Sequence, residues 1–174
     1  MMRKWIGRLV PIVLLALLSM LVPAQVFAST TADVTVNATP EYISIAVSPT
    51  TYDFGVVTDS ATPSTTTTYF TITNSSSVAT NNTIAVTTAT WSGGVTWTHS
   101  DTATAGADTA GMKANKGGTW GTGDVIVKYA SPEILAASQT ATTDWSFGLQ
   151  LLAPTSFSDG VQKSIIVRVT ATAV

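Results

Sequence analysis

Residues 43–74 read Ile43-Ser-Ile-Ala-Val-Ser-Pro49, then Thr50-Thr-Tyr-Asp-Phe-Gly-Val-Val57, and after a Thr/Ser-rich gap Tyr69-Phe-Thr-Ile-Thr-Asn74. Ile43, Ile45 and Val47 alternate with Ser44, Ala46 and Ser48. A period of two puts one face of an extended chain in a core and leaves the other small or polar. Pro49 has no amide proton for a sheet ladder, so the first strand stops before it. Phe70 and Ile72 repeat the alternation. Between the two strands, Tyr52-Asp53-Phe54-Gly55 reads as a corner: Tyr52 and Phe54 share a face, Asp53 is a turn residue, and Gly55 lets the backbone bend.

The same pattern continues outward. Ile84, Val86 and Thr88 alternate with Ala85, Thr87 and Ala89, and Ser92-Gly93-Gly94 predicts a hairpin into Val95–His99. Val125, Val127 and Tyr129 form another strand, as do Ile165, Val167, Val169 and Ala171. Trp145, Phe147, Leu149 and Leu151 make the strongest alternating run. Ser131-Pro132-Glu133-Ile134-Leu135 has the cap and the early proline of one or two helical turns. Ser100 to Gly123 is a 24-residue Gly-rich loop, with a weak strand signal near Met112. That is long for a structureless connection in a compact domain. About eight strands with almost no helix predict an all-β chain, an immunoglobulin-like β-sandwich. Phe54, Phe70, Trp145 and Phe147 are expected in its core.

The first 28 residues have a different character. Arg3, Lys4 and Arg8 precede an apolar run from Leu9 to Val22, and Val26-Phe27-Ala28 suits a signal peptidase. The run has 14 residues, short of the roughly 18 or more needed to span a bilayer. The expected organisation is therefore a cleaved signal peptide (1–28), a strand-like N-terminal segment (29–40) and a sandwich domain (41–174). The expected location is secreted or at the cell surface, with no membrane attachment after cleavage.

Composition narrows the function. There are no cysteines, which excludes a disulfide scaffold, thiolate chemistry and a lipidated cysteine. Without Arg3, Lys4 and Arg8 the chain keeps five basic against ten acidic residues. It lacks the basic stripe of a nucleic-acid binder and is a poor partner for anionic lipid. The mature chain is Thr-rich, with aliphatic and aromatic residues at strand spacing, which is not a disordered composition.

The quoted stretches together resemble the opening strands of ASH-type (abnormal spindle/Hydin-like) immunoglobulin domains. There a strand ending in Pro leads to a Phe-Gly-x-Val turn, followed by a strand ending in Thr-(Ile/Val)-x-Asn. The resemblance covers residues 43–74. It implies a structural, protein-binding module and not an enzyme.

Side chains that could carry chemistry are few. His99 is the one histidine. Ser100 and Asp101 adjoin it, but adjacent residues of an extended chain face apart, and no G-x-S-x-G elbow is present, so no catalytic residue is assigned and His99 is expected on a surface or rim. Asp101, Asp108 and Asp124 surround the Gly-rich loop, but their spacing matches no calcium loop, so neither a metal nor a cofactor is assigned. Trp97 and Trp145 are expected in the core. Trp91 and Trp120, beside glycines, are the exposed candidates for stacking on a glycan. Asn37, Asn74 and Asn81 stand in N-x-[ST] sequons. Asp33, Val34 and Val36 form a strand-like run before the sandwich, suited to completing a neighbour's sheet. The expected partners are therefore proteins or further copies of the chain. The alternative is an extracellular module that binds glycan or protein.

Overall fold

The computed structural model describes residues 34–174. The chain divides into two units, residues 1–38 and 39–174. The signal-peptide assignment and Asp33 lie outside the described residues. Residues 34–38, the described part of the first unit, form no strand, and Val34 and Val36 are 83% and 85% exposed.

The second unit is all-β and sandwich-like. Its ten strands are β1 (Ile45–Ser48), β2 (Phe70–Asn74), β3 (Thr80–Val86), β4 (Thr90–Trp91), β5 (Trp97–Ser100), β6 (Thr109–Asn115), β7 (Val125–Ile126), β8 (Glu133–Gln139), β9 (Asp144–Leu152) and β10 (Val167–Ala173). They form two sheets, and no helix occurs among the described residues. The larger runs β1-β2-β9-β6-β5-β4. In it β7 continues the edge of β6 that β5 has left, since Lys113 pairs Ile126 on one side and Gln150 on the other. The smaller sheet is β10-β3-β8.

Cross-strand registers explain the core. Phe70 lies opposite Phe147 and Ile72 opposite Trp145, so the apolar alternations of β2 and β9 fall on a common face. Met112 faces Leu151 in the same way. Phe70 and Phe147 stack with ring centroids 5.1 Å apart. Ile84 and Val86 of β3 are buried beneath this face from the other sheet. The corner reads as expected. Asp53 Oδ1 accepts the Gly55 amide at 2.8 Å. The Tyr52 ring meets Phe54 and Tyr69 edge-on at 4.9 and 4.8 Å.

The structure corrects four expectations. Ser131–Leu135 is not helical, because Glu133–Gln139 is strand β8, paired antiparallel with β3. Its buried residues, Leu135, Ala136 and Gln139, have helix-like spacing because the β3–β8 register shifts twice near Asn82. A bulge inserts a residue and breaks the period of two. The Gly-rich stretch contains β6, a central strand buried on both faces. Its glycine is a packing requirement, since a Cβ on Gly111 would lie 2.8 Å from Ala103 Cα. The strand expected at 84–89 begins earlier, at Thr80, and ends at Val86. The Ser92-Gly93-Gly94 hairpin joins the short β4 to β5. Gly93 has φ +109° and lies so close to Gln162 O that a Cβ would fall 2.1 Å from it.

A polar staple joins the sheets at one end. Gln139 donates from Nε2 to Ile72 O at 3.0 Å and to Thr143 O at 2.7 Å. Its Oε1 accepts from Asn82 Nδ2 at 2.6 Å. Asn74 Nδ2 donates to Gln139 O at 3.0 Å. Asn74, Asn82 and Gln139 are all buried. The Asn74 sequon is therefore inaccessible in the folded chain.

Candidate functional site

Seven strands face three, and the inward residues of the larger sheet's edge strand β1 are left half-buried. Beside β10 an open groove of about 970 Å³ remains. Its floor carries Phe70, Phe147, Leu149, Met112 and Trp97 from the larger sheet. One wall is residues 49–57, which follow β1. The other is residues 159–167 with Val167 and Val169 of β10, and no residue of β3 or β8 lines it.

Burial identifies the open side. In the smaller sheet the inward residues of β3 are fully buried, while the inward residues of its partner β10 are only half-buried. The larger sheet repeats this contrast: the inward residues of β2 are buried, those of the edge strand β1 half-buried. Strands that alternate correctly yet stay half-wet at their apolar positions lack a neighbour on one side. Among the described residues, β10 pairs only with β3.

The rim is held by one ion pair. Asp159 Oδ1 lies 2.5 Å from Lys163 Nζ, and Lys163 also donates to Gly93 O at 2.6 Å. Asp159 Oδ2 accepts the Val95 amide at 2.5 Å. The Lys163 ammonium, followed by the Val95 amide, holds the Asp159 carboxyl below its usual range. A depressed folded-state pKa contributes stability above the ordinary carboxylate range, and this is lost as the pH falls through the folded value. We expect the protection of the Val95 amide against hydrogen exchange to fall on acidification while that of Ile84 in β3 persists. Asp159→Asn should abolish that acid dependence; an unchanged pH profile in this variant would assign it to another group.

The aromatic residues do not sit where expected. Trp91 is 5% exposed and packs on Trp97 at 6.0 Å, so its assignment as an exposed side chain is corrected. The cause is its place opposite Trp97 in the β4–β5 ladder. Trp97 stacks on Phe157 at 5.4 Å and is core as expected, whereas Trp145 is half-buried. The indole N–H groups of Trp91 and Trp97 are buried without an acceptor. Trp120 is half-buried, donates to Thr65 O at 3.3 Å, and does not line the groove.

His99 is also corrected: it is 7% exposed, not on a surface. It shares a face with Trp97 two residues earlier, a signal already present in the sequence. His99 Nε2 lies 2.7 Å from Val127 O, so this nitrogen carries the proton and donates. The Ser100 hydroxyl instead meets Thr102 Oγ1 at 3.2 Å and accepts the Thr104 amide. The three loop aspartates do not converge. Asp101 accepts the Tyr129 amide at 2.6 Å, Asp108 accepts from Ser158, and Asp124 accepts from Asn115 and the Gly121 amide. Each fastens a different loop, and among the described residues no group of three or more His, Asp or Glu could hold a metal.

The groove therefore offers apolar area and an open strand edge, and its one ion pair is occupied in holding the rim. No protein-family model, curated protein or solved structure matches the chain. Among the described residues no helix is long and apolar enough to cross a membrane.

Proposed function

We propose that the protein is an exported, non-enzymatic subunit of an extracellular or cell-surface assembly, with an immunoglobulin-like sandwich of the ASH type as its body. The observation that carries this reading is the open groove beside β10, along which Val47, Val167 and Val169 stay half-buried. Half-buried apolar residues along an open groove offer further area to a partner, and an unpaired strand edge is a template for another chain. The groove is lined mainly by apolar residues, and a strand that adds to an edge combines main-chain hydrogen bonds with alternate side chains in pockets. The strand-like segment 29–40 supplies the complementary element.

The test uses the mature chain from Ser29. Size-exclusion chromatography with light scattering should give concentration-dependent species larger than a monomer, and a chain lacking residues 29–40 should give monomers only. Monomers from both chains at high concentration would overturn the assembly reading. N-terminal sequencing of the exported protein should begin at Ser29, and a start at Met1 would overturn the export reading.

A further inference from the structure

Resting on that assembly reading, we infer that the groove beside β10 is the acceptor for residues Asp33–Asn37 of a second copy of this chain, inserted as an additional strand of the smaller sheet. The groove has a vacant strand position. β10 has one partnered and one open edge, and its inward Val167 and Val169 are half-buried for want of a neighbour.

The segment matches that position. In Asp33-Val-Thr-Val-Asn37, Val34 and Val36 alternate with Asp33, Thr35 and Asn37. As a strand it presents two branched apolar side chains on one face and three polar ones on the other. Val34 and Val36 have the same two-residue spacing as Val167 and Val169, so they meet the groove floor in step with β10. Five extended residues span about 17 Å, the length of the β10 stretch from Val167 to Ala171. Pro40, three residues on, ends the strand. In residues 34–38 both valines are exposed, and Val47, Val167 and Val169 along the groove are only half-buried.

The path of the chain favours a second copy. The Ser75 amide donates to Ser44 O at 2.9 Å and the Ser77 amide to Tyr42 O at 3.1 Å. These bonds extend the β1–β2 register as far as Tyr42, directing the chain away from Pro49 and the groove wall that follows it. To enter its own groove the segment would have to reverse within residues 38–41. Entry into a neighbour's groove needs no reversal, and repetition of the step gives a linear polymer.

The absence of native cysteine permits a direct test. Two mature chains distinguishable by mass are mixed in a glutathione redox buffer. One carries Val36→Cys, and the other carries Val167→Cys or Val169→Cys. Adjacent strands bring Cα atoms within disulfide reach, so at least one pairing should yield cross-linked heterodimer about tenfold above the controls Thr35→Cys and Thr170→Cys, which face away. Cooperative thermal unfolding of each variant establishes that it is folded. Assemblies that cross-link no better than the controls would overturn the groove assignment and leave the assembly reading standing. A chain carrying both substitutions that cross-links only to itself in a large excess of cysteine-free protein would overturn the second-copy assignment. Monomers without cross-links would overturn both.

Discussion

Gln139→Ala lowers the unfolding free energy by about 2–4 kcal/mol, because truncation leaves the buried Asn82 amide without its acceptor and takes a donor from two carbonyls. Asn82 Nδ2 loses its acceptor, Ile72 O loses a side-chain donor, and Thr143 O keeps only the Asn74 amide. A buried polar group left without its partner costs about 1–3 kcal/mol, and the three belong to one network, so the losses do not simply add. Domains of this size have about 5–15 kcal/mol in total. The variant should therefore unfold at a lower denaturant midpoint with little change in slope. The double variant Asn82→Leu, Gln139→Leu should recover part of the loss, since removing both partners abolishes the unsatisfied Asn82 amide. A Gln139→Ala midpoint within about 0.5 kcal/mol of the parent would mean that water replaces the side chain and that the staple is dispensable.

The second large effect comes from the floor of the groove. Phe147→Ala removes a buried ring that stacks on Phe70 at 5.1 Å in the central strand β9. Loss of transfer free energy together with the cavity left behind predicts about 3–5 kcal/mol of destabilisation. Phe147→Leu keeps most of the volume and should cost less than half as much. The two variants also separate packing from assembly. Phe147→Leu should remain folded while reshaping the groove floor, so any change in its self-association reports on the groove. Equal destabilisation by Ala and Leu would show that the aromatic stack, and not volume, sets the stability at this position.

Much of the secondary structure was legible because it depends on neighbouring residues. The alternations in β1, β2, β9 and β10, the stop at Pro49, the Asp53–Gly55 corner and the Gly93-Gly94 hairpin are each written in a few consecutive residues. Legibility failed where tertiary pairing overrides a local pattern. β8 reads as a helical turn because Ser131-Pro132 has the cap and early proline of a helix start, whereas pairing with β3 draws Glu133–Gln139 into a strand. β6 gives only a weak strand signal, near Met112, because a strand buried on both faces needs small residues such as Gly111, and glycine is a poor strand former. Trp91 was misplaced because two flanking glycines suggest exposure, whereas pairing with Trp97 buries it. His99 shows the reverse: its alternation with Trp97 predicted burial, but its polarity suggested a surface.

The candidate site followed the same division. By itself the sequence determined an all-β chain without cysteine chemistry, an acidic balance once Arg3, Lys4 and Arg8 are set aside, and a segment, Val34–Asn37, with one apolar and one polar face. All of these are set by composition or by a period of two. The groove beside β10 was decided only by the tertiary structure. Its floor and walls come from residues between Val47 and Val169, and whether a strand edge is left open depends on the order in which strands pair. That order is a property of long-range contacts, and no local pattern in the chain encodes it.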